Sequence, residues 1–178
     1  MNTFKRSLFI VGFGLALAAC NDSASTEMQT DALVEAEEEV DAHIDVVEQR
    51  LAACNSKDWA KWEALHVTDA TRTAPDLAEP LTSAAAMRTD IEELVVTFPD
   101  YHLELVEAFG LGDKLVARIH TKGTMLGPID FNGFEVPPTG KSFEQDWVAI
   151  LTFEGDKIAS IDEFYDNYGT MVQLGLAQ

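Results

Sequence analysis

The chain has 178 residues, 47% of them apolar, enough for the core of one folded domain. Its 31 acidic residues against 12 basic ones give a formal net charge of −19. Such a surface repels phosphate backbones and anionic lipid headgroups, which excludes nucleic acid as a partner, and the acidic excess itself reads as a solvated face.

At the start, Lys5 and Arg6 precede an apolar run from Leu8 to Leu17, followed by Ala18, Ala19 and Cys20. A charged start, a short apolar stretch and a small-residue cleavage site come in the order of a secretory signal. At about 1.5 Å per residue the run is too short to span a bilayer comfortably as a helix. The tetrapeptide L-A-A-C ending at Cys20 resembles a bacterial lipobox. That resemblance implies loss of residues 1–19 as a signal peptide and attachment of palmitate-type chains to Cys20, an anchor firmer than any single acyl chain. Ordinary cleavage near Ala18 or Ala19 is the alternative. Asn21 resembles the sorting pattern for the outer membrane, which implies the periplasmic face of the outer membrane in a Gram-negative bacterium. With Cys20 acylated, Cys54 has no partner for an internal disulfide. It reads as a buried structural thiol.

Residues 20–30 are the modified cysteine and a polar stretch without apolar period, expected as a flexible tether, and the domain is expected over 31–178. Leu33, Val40, Val47 and Cys54 recur every seven residues with Ile44 and Leu51 between them, which predicts a long helix with one apolar stripe. The acids from Glu35 to Asp45 mostly occupy its other faces and read as solvated surface, since no histidine pattern closes a metal-ligand set. Asp58 is placed to cap a second helix carrying Trp59, Trp62 and Leu65. Ser83 is placed to cap a third, running to Phe98 before Pro99. Trp59 reads as core, and Trp62 as core or pocket wall.

From Tyr101 the period becomes alternating. Leu103, Leu105 and Phe109 share one strand face, Gly110 to Asp113 turn the chain, and Leu115, Ala117 and Ile119 alternate on the next strand. A long loop through Gly127, Pro128, Gly133, Pro137 and Pro138 leads to a strand carrying Phe143, Gln145, Trp147, Ala149, Leu151 and Phe153. Gly155-Asp156 then turns into a last strand, Ile158 to Tyr165. About three N-terminal helices followed by an antiparallel meander predict an α+β domain, with helices covering one face of the sheet.

Several motifs stand in one order: NSKDWAKWEALH, F-P-D, G-D-K-L-V, P-P-T-G-K, an aspartate after the last strand, and Q-L-G. From Val46 to Gly175 the chain resembles the SnoaL-like polyketide cyclase family of the NTF2-like group, most closely between Pro137 and Gly175. The resemblance implies a cone of helices on a curved sheet around an apolar pocket for a small oxygenated, polyketide-like molecule. It also implies ring closure or isomerisation without metal or organic cofactor. Such chemistry needs a base for a carbon-bound proton and an acid for the oxyanion, in a pocket dry enough to lift a carboxylate pKa. By position the family's acid–base residue is Asp166, with Glu163 and Asp162 beside it. Capping of a helix over 167–174 is the other role open to Asp166.

Some family landmarks differ. Where relatives often carry histidine before a proline, this chain reads Thr73-Ala74-Pro75; Met125 and Asp162 stand where a histidine and a tryptophan are common. Gln145 and Trp147 on the fourth-strand face, Trp62, and the hydroxyls of Tyr165 and Tyr168 are the expected ligand contacts. His120, Arg118 and Lys122 share a face that reads as outer or dimer-forming. No nucleotide-binding glycine loop, H-E-x-x-H, CxxC or G-x-S-x-G occurs, so the sequence supports no cofactor or metal. Two functions stay open: a lipid-anchored catalyst of the cyclase or isomerase type using Asp166, and a lipoprotein that binds a ligand or dimerises through its sheet without catalysis.

Overall fold

The computed structural model describes residues 23–131 and 134–178. The expected signal peptide, residues 1–19, and Cys20 lie outside the described residues. Helix α1 runs over Ser23–Ser56, α2 over Trp59–Ala64, strand β1 over His66–Thr73 and α3 over Ala84–Thr97. Strands β2 (His102–Leu111), β3 (Lys114–Thr124), β4 (Ile129–Phe131), β5 (Phe134–Val136), β6 (Ser142–Glu154) and β7 (Lys157–Phe164) follow, and α4 spans Asn167–Gln173. The class is α+β, as expected, with four helices among the described residues: three precede the main meander and α4 follows it.

The apolar stripe of α1 is buried from Ile44 through Val47 and Leu51 to Cys54. Removing each such side chain from water contributes about 1.5–3 kcal/mol. Upstream of Val40, Val34 is exposed and residues 37–39 stand in solvent. It nevertheless continues back to Ser23, through the stretch expected as a tether. Residues 23–30 contain neither glycine nor proline, so a helix nucleated by the packed half propagates through them at small cost. The side chain of Asn55 mimics a strand at the C-terminal end of α1. Its amide donates to the carbonyl of Leu103 and accepts from the Leu103 N–H, both at 2.8 Å, pinning the helix to β2.

Helices α2 and α3 begin on the expected caps: Asp58 accepts from the Lys61 amide and Ser83 from the Ala86 amide, each at 3.1 Å. The main sheet has the order β1-β7-β6-β3-β2, antiparallel except for the parallel pair β1–β7. Alternation holds on β3 and β6, where Leu115, Ala117, Ile119, Trp147, Ala149 and Leu151 are buried beneath the helices.

Three features depart from the sequence reading. His66–Thr73 forms a strand where none was expected; its polar sequence has no apolar alternation, and the pairing with β7 supplies the reason for its shape. Residues 127–138, expected as loop, contain the β4–β5 hairpin. On β2 the register shifts between Leu105 and Glu107, so Phe109, expected to share the inward face with Leu103 and Leu105, is exposed.

A second bulge positions the site. On β7, Ile158 pairs with Phe153 and Ser160 with Thr152, leaving Ala159 as an extra residue. Ile158 and Ile161 both face the core as a result, and Glu163 falls on the same inner face with 8% exposure.

Candidate functional site

The inner face of the sheet, α2, α3 and α4 enclose a cavity of about 930 Å³. Trp62, Met87, Leu94, Phe98 and Trp147 supply apolar wall, and Thr121 and Gln145 supply polar points on the sheet. The wall also carries a charged group that the sequence reading did not anticipate. The guanidinium of Arg72, on β1, donates to Asp90 on α3 at 2.7 Å and to Glu163 on β7 at 2.9 Å. Three elements distant in sequence are thus tied at one point on the cavity wall.

Burial acts on each member of this group. It pulls Arg72 toward deprotonation, but the charge of Glu163 and its hydrogen bond, with Asp90 and Asp76 adding, more than offset this and hold the guanidinium above its ordinary range. For Asp90, burial outweighs the opposing pull of Arg72 and leaves the carboxyl pKa above the usual range. Beside the group, the Tyr165 hydroxyl donates to Asp76, and burial together with that carboxylate pushes its pKa up.

At the α1 end of the cavity lies a second guanidinium. Arg50 is 7% exposed, sits 5.0 Å over the Trp62 ring and donates from Nε to His66 Nε2 at 3.3 Å. His66 Nδ1 lies 2.9 Å from the Trp62 carbonyl. A carbonyl only accepts, so Nδ1 carries the proton and Nε2 receives from Arg50. Burial first, and then the Arg50 charge, lower the His66 pKa to about 3. Burial also lowers that of Arg50.

The expected site residues divide. Trp62, Gln145, Trp147, Glu163 and Tyr165 meet around the cavity. Asp166 does not line it: the carboxylate is exposed and accepts from the Gly169 amide at 2.7 Å as the cap of α4. Its neighbour Asn167 faces the cavity instead. Tyr168 is 62% exposed and donates its hydroxyl to the carbonyl of Gln178. His120 and Arg118 pair with Asp146 on the opposite face of the sheet, and Arg118 also with Glu107. Among the described residues no group of three or more His, Cys, Asp and Glu side chains is arranged to hold a metal ion.

The sequence reading missed Arg50, Arg72, Asp76 and Asp90. Two of these carried a signal. Arg50 lies on the α1 stripe between Val47 and Cys54, and Asp90 stands between Met87 and Leu94 on α3; a charge on an apolar stripe needs a partner or a ligand. For Arg72 the sequence offers nothing comparable, because its strand has no amphipathic pattern.

A helix-covered sheet enclosing a cavity agrees with the family model for SnoaL-like polyketide cyclases, which matches residues 45–174. The chain belongs to the SnoaL-like family. Similar solved structures include TsrD from Streptomyces laurentii, 27% identical, with a TM-score of 0.65 over 76% of this chain and 96% of that one. IdmH from Streptomyces antibioticus is 26% identical, with a TM-score of 0.62 over 75% and 98%. A SnoaL-like protein from Jannaschia sp. CCS1 is 15% identical and shares the fold, with a TM-score of 0.68 over 79% and 96%. No curated protein matches the sequence. The SnoaL-like match includes the whole of β1 to β7, so every residue of the Arg72 group lies within it.

Proposed function

We propose that this SnoaL-like domain takes a small, largely apolar, oxygenated molecule into the cavity and acts on it by acid–base chemistry of the cyclase or isomerase type. Asp90 and Glu163 handle the proton, and Asp166 serves chiefly as the cap of α4. The observation that carries this reading is the pair of carboxylates held on Arg72 in the cavity wall. Two acids on one cation bring a proton acceptor and a potential donor to the same point, and the raised pKa of Asp90 moves one of them toward the working range of a general acid or base. Gln145 lies on the neighbouring wall with an amide suited to a carbonyl oxygen.

The test is turnover of polyketide-like aldol substrates and small oxygenated isomerisation substrates, with ligand binding measured in parallel. Glu163→Gln is expected to lower kcat/KM by about 10²- to 10⁴-fold with binding retained, and Asp166→Asn to cause no comparable loss. An equal loss in Asp166→Asn would return proton transfer to Asp166. A wild-type protein that binds and never turns over would favour a second reading, a non-catalytic binding protein. That reading draws support from the commitment of both carboxylates to Arg72.

The same proposal includes the location and the assembly. Export, acylation of Cys20 and attachment at the periplasmic face of the outer membrane are supported by the charged start, apolar run and L-A-A-C of the leader. A homodimer through the outer sheet face is supported by the exposed apolar side chains of Phe109, Ile150 and Phe164 on the side opposite the cavity.

A further inference from the structure

Arg50 is a cation in an unusual position. It is 7% exposed and lines the cavity, and its neighbours within reach are neutral: the Trp62 ring at 5.0 Å and the lone pair of His66 Nε2 at 3.3 Å. Among the described residues no carboxylate forms an ion pair with it, and no acceptor is assigned to its two terminal nitrogens. Glu163 attracts it through space, but that carboxylate is bonded to Arg72. A buried guanidinium without a counter-ion is costly to the fold, and the cost is recovered when an acceptor arrives.

From this geometry we infer that the cavity recognises a monocarboxylate, with the ligand's carboxylate on the terminal nitrogens of Arg50 and its apolar body against Trp62, Met87 and Trp147. The inference rests on the cavity being the ligand site and names the class of ligand. A planar carboxylate matches the two terminal N–H groups of the fork, which stay available because Nε is taken by His66. His66 holds that orientation: with Nδ1–H on the Trp62 carbonyl, its Nε2 receives from Nε and keeps the guanidinium turned. His66 is therefore a positioning residue. Charge on the lining restricts the ligand to one anionic group, because the carboxylates of Asp76 and Glu93 are exposed along it and repel a second.

Naphthalene-2-carboxylate and dodecanoate, each beside its methyl ester, test this by calorimetry and by quenching of tryptophan fluorescence. The wild type is expected to bind the acids at least about tenfold tighter than the esters, the range of a charge-assisted hydrogen bond. In Arg50→Met that preference is expected to vanish while the esters still bind, with a melting temperature equal to or above that of the wild type. Equal affinity for acid and ester in the wild type overturns the carboxylate assignment and leaves the cavity as the ligand site. A preference that survives in Arg50→Met overturns the role of Arg50. Binding of neither acid nor ester overturns the cavity reading and this inference together. The wild-type comparison decides the case even if the variant does not fold.

Discussion

His66 shows most directly how position changes the chemistry of a side chain. In the unfolded chain its imidazole titrates near 6.5; in the fold, burial and the Arg50 charge bring it down to about 3. Between those values the unfolded state binds a proton that the folded state does not, so stability falls as pH drops from about 6.5 toward 3. The slope for this one group is about 1.4 kcal/mol per pH unit, or roughly 2 kcal/mol between pH 6.5 and 5. Asp90 works in the opposite sense, because its raised pKa gives stability that is lost as pH rises through it. Urea unfolding at pH 7 and pH 5 isolates His66: the drop in stability is expected to be smaller in His66→Gln by about that 2 kcal/mol. An unchanged drop would mean that the fold does not hold the imidazole neutral. Little of this was legible beforehand, since nothing next to His66 in the chain marks it as more than the end of the NSKDWAKWEALH motif. Its partner Arg50 lies 16 residues away, on α1.

Where the elements begin was easier to read than what their ends do. Asp58 and Ser83 are caps by local chemistry alone, and the fold uses them so. Asp166 is one by the same chemistry, in an element only seven residues long. Asp166→Ala is therefore expected to destabilise the protein by about 1 kcal/mol, measured by chemical denaturation, with a local rise in hydrogen exchange over α4. Full stability in that variant would leave the capping role without energetic weight. Bulges were the illegible part. Strict alternation along β7 from Ile158 would send Ser160, Asp162 and Phe164 inward and Glu163 outward. The extra residue at Ala159 reverses this, so Glu163 meets Arg72 and Phe164 stands 56% exposed. A bulge on β2 likewise turns Phe109 outward. Nothing in I-A-S-I marks the bulge, because it is selected by pairing with β6.

As a whole molecule the chain has two faces and an extended lead-in. One sheet face is covered by helices and holds the cavity; the other carries the ion pairs of Arg118 and the His120–Asp146 contact beside exposed Phe109, Ile150 and Phe164. The helix α1, 34 residues long, gives about 50 Å of rise, and its second half carries the buried stripe from Ile44 to Cys54. No helix among the described residues is long and apolar enough to cross a membrane. The proposed attachment is through Cys20. Metabolic labelling with palmitate is expected to mark the wild-type protein and to fail in Cys20→Ala, which is released from the membrane fraction. Light scattering of the released protein is expected to give the mass of two chains. Persistent label would end the lipobox assignment, and the mass of one chain would end the dimer.

The three N-terminal helices and two of their caps, the strands β2, β3, β6 and β7, the alternation of β3 and β6 and the likeness to SnoaL-like proteins were all properties of the sequence itself. Each depends on residues close together in the chain, through helical period, two-residue alternation or turn chemistry. The same local logic brought Trp62, Gln145, Trp147 and Tyr165 to the cavity, because all stand on or beside inward-facing positions. Tertiary structure alone decided that β1 exists, that Glu163 rather than Asp166 faces inward, and that Arg72 meets Glu163 across 91 residues and Asp90 across 18. Electrostatic partnership depends on distance in space, and on a bulge whose cause lies in the neighbouring strand. Charges scattered along the chain acquire a function only when the fold places them together beneath the helices.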